Sequence, residues 1–260
     1  MTSARDFVVR GLLAGLIAGL VAFGVAYVVG EPSVNVAIAF EESGGSGHHH
    51  EAEPTTNDGT TAAEVPRSLQ STAGLLTATM VGGVTLGALV GVIGALALGR
   101  LGRHGVRGVS LAVAAIGFVS VSRMPFVAYP PNPPAVGHHE TIGIRTELYF
   151  IMLAISIIAA VALKVAYQVP KRAASLRPTS TAAIAGYLLV AITAIALLPT
   201  YSEVPADFPA TVLYEFRMAS LATQLSLWAT IGLALGELLH RRQHRTDLQL
   251  TAPGYAEQSF

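Results

Sequence analysis

Six apolar runs dominate the chain: Val8 to Val29, Thr72 to Leu98, Val109 to Ala128, Leu148 to Tyr167, Thr181 to Leu198 and Ala219 to Leu239. A helix needs about 20 such residues to cross a hydrocarbon core of roughly 30 Å. Only 12% of the 260 residues are charged and 52% are hydrophobic, whereas a soluble domain carries about 25% charge. The expected fold is an all-α integral membrane protein, a bundle of about six transmembrane helices in a lipid bilayer. The fifth run is the shortest. The first follows Arg5 and Arg10 as a signal peptide would, but its apolar stretch of about 22 residues exceeds a signal core of 7 to 15, so it is expected to stay as a helix.

Formal net charge is zero, so no global field favours nucleic acid, and charge must act by position. Arg5 and Arg10 precede the first span, Arg100, Arg103 and Arg107 join the second and third, Lys171, Arg172 and Arg177 join the fourth and fifth, and Arg241, Arg242 and Arg245 follow the sixth. In a six-span arrangement these groups share one side, which the positive-inside rule makes cytoplasmic. Both termini are then cytoplasmic. The expected organisation is 1–30, N-terminus and first span; 31–71, a flexible extracytoplasmic loop; 72–128, spans two and three; 129–147, a Pro-rich outer loop; 148–198, spans four and five; 199–218, an outer Pro/Glu loop; 219–239, the sixth span; and 240–260, a cytoplasmic tail, disordered after Arg245.

Gly11, Gly15 and Gly19 recur every fourth residue in the first span, as do Gly83, Gly87 and Gly91 in the second. Such small-residue faces let backbones approach, and these two helices are expected to pair.

Cysteine is absent, which removes thiolate sites and thiol nucleophiles, so any metal must be met by imidazole, carboxylate, carbonyl or thioether. His48, His49 and His50, with Glu41, Glu42, Glu51 and Glu53, offer such ligands on a glycine-rich acidic segment read as disordered. A mobile arm imposes little geometry, so selectivity there would follow the Irving–Williams order.

The outer loops are of a different kind. Pro130, Pro131, Pro133 and Pro134 stiffen the first, which carries Asn132, His138, His139 and Glu140. The second, Leu198 to Pro209, is similarly proline-rich and holds Glu203. Arg123, Glu147, Glu215 and Arg217 stand at the outer helix ends, where charges usually face water or the bundle interior and pair. Together with Asn132 they are expected to form a mouth or gate, with Arg123 paired to Glu203 or Glu215. His48, His49, His50, His138, His139, Glu140 and Glu203 are the candidate metal ligands.

The residues Arg123, Pro125, Tyr129-Pro130, Asn132 to Gly137, Glu140 to Gly143, Arg145-Thr146 and Tyr149 form a composite pattern. It continues through Leu198-Pro199, Tyr201, Glu203 to Pro205, Phe208-Pro209, Phe216-Arg217, Ala219-Ser220 and Gln224, with Glu31-Pro32 upstream. This pattern resembles the CbtA family of predicted cobalt transporter subunits. The resemblance implies a bacterial or archaeal cell-membrane protein linked with cobalamin metabolism and partnered by a small single-span CbtB-like subunit. The family is described with five spans, whereas the charge pattern here fits six.

No glycine-rich Walker pattern is present, so ATP hydrolysis by this chain is not expected. An inside-negative potential of 100 mV is worth about 2.3 kcal/mol per charge to an entering cation. The expected function is uptake of a divalent cation, cobalt(II) or similar, as substrate and with no resident cofactor. The alternatives are a non-transporting metal-binding or assembly subunit and, less well supported, a membrane enzyme. The last lacks both a nucleophile-base spacing and a His-Glu-x-x-His motif.

Overall fold

The computed structural model describes residues 3–44, 66–98, 105–137, 139–167, 180–201 and 203–251. Among these, 88% are helical and none lies in a strand. Six helices follow in order: α1 (Ala4–Ser43), α2 (Arg67–Ala97), α3 (Val106–Ala128), α4 (Ile142–Ala166), α5 (Thr181–Leu197) and α6 (Ala210–Thr251). Five are long and apolar enough to span a membrane, and α5 falls short of that length.

The helices outrun the apolar segments that announce them. Residues 31–43, 142–147 and 210–218 were expected in loops and are helical, and the last helix continues to Thr251, past the expected end of order at Arg245. Hydropathy marks where a helix lies in lipid, not where its hydrogen bonding stops. At Glu31-Pro32 the chain also meets a residue that lacks an N–H and whose ring crowds the carbonyl four residues back. That carbonyl belongs to Val28, inside a π-helical stretch over Ala26–Gly30. The wider turn accommodates the proline without ending the helix. The same device serves Pro125, whose fourth preceding residue, Val121, lies in the π stretch Phe118–Arg123.

The expected pairing of α1 with α2 is present. A Cβ added to Gly11, Gly15, Gly19, Gly83, Gly87 or Gly91 would come within 3.0 Å of backbone on the opposite helix, so the two chains touch backbone to backbone. Lipid offers no hydrophobic drive for helices to associate, and close dispersion contact of this kind takes its place. α6 and the first half of α3 complete a four-helix core around Phe7, Ala14, Val90, Val109, Trp228 and Ile231. Gly117 of α3 makes room for the Trp228 ring.

α4 and α5 form a hairpin, tied by a 2.6 Å hydrogen bond between the Ser156 and Tyr187 hydroxyls. It leans on the outer half of α3, where Met152, Ala191 and Ala194 pack with Met124 and Ala128. Asp6 of α1 and Arg242 of α6 approach to 3.8 Å, so the start of the first helix and the end of the last share one face. The proline-rich loops occupy the opposite face.

Candidate functional site

A cavity of about 780 Å³ lies beneath the first proline-rich loop, among α1, α2, α3, α4 and α6. Its roof begins at Tyr129, where φ −135° and ψ 81° end α3. The prolines that follow have no N–H to continue a helix and hold the chain extended. Ala135 at φ 67° and Gly137 at φ 133° then turn it back. The turn presses Ala135 and Val136 onto Ala37, Phe208 and Val212, so the helical extension of α1, the second loop and the start of α6 back the first loop with an apolar cluster.

Polar ties hold the roof in place. The Tyr129 hydroxyl donates to the Pro199 carbonyl at 2.9 Å, joining the two loops. Arg217 donates through Nη2 to Asn132 Oδ1 at 3.1 Å and through Nε to the Pro131 carbonyl at 3.4 Å. Arg145 Nη1 meets Glu203 Oε2 at 2.6 Å, with the carboxylate side chain only 5% exposed. Gly137 passes over this pair, so close that an added Cβ would stand 3.2 Å from the guanidinium and 3.4 Å from the carboxylate. Burial, and then the neighbouring Tyr201, push the Tyr129 phenol above its ordinary pKa, so it remains a donor.

The walls mix aromatic rings, amides and hydroxyls with two compensated charges. Glu31 and Arg145 line the cavity, Glu31 being paired with Arg67 and Arg145 with Glu203. Arg67 also donates to Asn35 Oδ1 at 3.1 Å. A relay runs from the core into the wall: Trp228 Nε1 donates to Ser122 Oγ at 2.8 Å, and Ser122 Oγ donates to Gln224 Oε1 at 3.1 Å. A chamber of this composition can solvate a cation through neutral oxygens and the cation's own water, and among its described lining residues Glu31 is the one carboxylate.

The structure treats the expected site residues unequally. His48, His49, His50 and His138 lie outside the described residues, as does the side chain of His139. Glu140 stands exposed in the short turn His139–Thr141 that opens α4, and Glu147 and Glu215 are exposed on α4 and α6. Asn132 and Arg217 are brought together. Arg123 is half-buried, its guanidinium 5.6 Å from the centre of the Phe126 ring. The expected pairing of Arg123 with Glu203 or Glu215 is therefore corrected. Glu203 is taken by Arg145, which the early start of α4 carries to it, and among the described residues no carboxylate pairs with Arg123. Among those residues, too, no three His, Asp or Glu side chains converge as a metal site. Reasoning from charge missed Arg145, Glu31, Tyr149 and Gln224 as wall residues. The composite pattern contained all four.

A family model described as "Probable cobalt transporter subunit (CbtA)" matches residues 4–240 of the chain. No curated protein and no solved structure matches it.

Proposed function

The chain belongs to the CbtA family of probable cobalt transporter subunits, and on that premise we propose that it is the integral membrane subunit of a divalent-metal uptake system linked to cobalamin metabolism. Cobalt(II) or a similar cation is the substrate, captured on the outer face, and a small single-span CbtB-like subunit is the partner. The observation that carries this reading is the 780 Å³ chamber lined by the first proline-rich loop, on the face opposite the chain ends. With Arg10, Arg107, Arg241 and Arg242 on the end-bearing side, the positive-inside rule makes that side cytoplasmic and the chamber outward-facing. The protein sits in the cell membrane and performs no covalent chemistry. The segment bearing His48, His49 and His50 gathers metal, and the roof loop with His138, His139 and Glu140 passes it to the chamber.

A non-transporting metal-binding or assembly subunit is the second reading. Uptake of labelled cobalt into proteoliposomes separates the two. Transport by the chain alone, or by the chain with its single-span partner, supports a path through the chamber. Retained cobalt binding with no uptake in either preparation leaves the second reading. Replacing His48, His49 and His50 with alanine is expected to raise the cobalt concentration for half-maximal uptake and leave the saturated rate unchanged, because a tethered ligand raises local concentration without shaping the path. A collapsed saturated rate at unchanged half-saturation would reverse the two roles.

A further inference from the structure

We infer that a cleft at the end-bearing face, between α3 and α6, is a headgroup site for an anionic phospholipid. The cleft, of about 340 Å³, is lined by Arg107 of α3 and by Glu237, His240, Arg241, His244 and Arg245 of α6. The lining thus carries three guanidinium groups, two imidazoles and one carboxylate. Glu237 orients the cations: it meets Arg107 across the helix pair at 2.6 Å and Arg241 one turn along at 2.7 Å. Each guanidinium has five N–H donors in a fixed fork, so each keeps donors free of that carboxylate for a phosphate. The helices are close here, since a Cβ on Gly236 would lie 3.1 Å from Arg107 Cα, and this proximity brings Arg107 to the carboxylate that Arg241 shares.

An excess of basic residues on this face is expected of any cytoplasmic side and by itself specifies nothing. What singles out a lipid is the surface next to the cleft. Leu111, one turn from Arg107, is 43% exposed, and Leu233, one turn from Glu237, is 61% exposed. Both lie on the side of the cleft nearer the bundle's middle, where Leu111 touches the backbone level of Gly232. A phosphate seated among the arginines places its acyl chains on these leucines. A soluble phosphate would use the cations and leave the leucines uncovered. This inference is independent of the metal carried.

The test titrates the purified full chain in detergent with phosphatidylglycerol, and in parallel with phosphatidylcholine, counting bound lipid by native mass spectrometry. Phosphatidylglycerol is expected to be retained and phosphatidylcholine not. Inorganic phosphate at equal concentration is expected not to displace the lipid. Arg245 is exposed at the cleft rim, and Arg245→Gln should weaken retention about fivefold, the effect of one basic residue at an anionic surface, while Arg245→Lys keeps most of it. Should the glutamine variant fail to run as a single species, His244→Gln, also at an exposed position, takes its place with the same expected direction. Equal retention by wild type and the substituted chain overturns the assignment. Displacement by inorganic phosphate also overturns it, in favour of a soluble-anion site.

Discussion

Arg145 and Glu203 bring opposite charges into a region with little water, where removing one partner costs more than the pair gains by forming. Arg145→Ala leaves a carboxylate that is only 5% exposed without its guanidinium, and is expected to destabilise the protein by about 3 kcal/mol. Glu203→Gln should cost less, and the exchanged pair Arg145→Glu with Glu203→Arg should recover part of the loss. Thermal unfolding of the detergent-solubilised variants checks this, and equal melting temperatures for wild type and Arg145→Ala would remove the pair from the chamber's support. Residue identity showed that charges at the outer helix ends needed partners, but not which ones. Arg123 was the expected centre because it lies near the outer end of an apolar run. Arg145 holds that position because three residues of helix precede it, and a helical start six residues ahead of the apolar run leaves no trace in hydropathy.

At the scale of elements, the glycine triples were legible because their spacing of four matches one helical face, and the structure pairs them as the spacing requires. The extension of α1 beyond Glu31 was not legible, since acidic residues and a proline read as a loop until the π turn that admits the proline is seen. The seam makes a sharp contrast within one helix. A Cβ at Gly87 would stand 2.6 Å from Gly15 Cα, whereas one at Gly82 meets nothing within 4 Å. Gly87→Val is therefore expected to cost about 3 kcal/mol through overpacking, while Gly82→Ala stays within about 1 kcal/mol of wild type or gains helix propensity. Melting temperature and monodisperse yield of the two variants decide it, and equal tolerance of both would mean that α1 and α2 do not meet at their glycines.

For the whole molecule, placing both ends on one face demands an even number of crossings, although α5 is short. The chain has no native cysteine, so single cysteines can report sidedness. In intact cells an impermeant thiol reagent is expected to label His49→Cys and to spare Arg245→Cys until the membrane is opened; labelling of position 245 in intact cells would leave α5 outside the membrane or reverse the orientation. The bare seam between α1 and α2 also has a mechanical consequence. Side chains that interlock can trade rotamers and let helices creep past one another, but here each seam glycine meets backbone, which has no rotamers to trade. The next equivalent register is four residues away, a step of about 6 Å, and reaching it would break these backbone contacts together. α1 and α2 therefore behave as a single strut, and any change in the chamber's width has to be borne by its other walls.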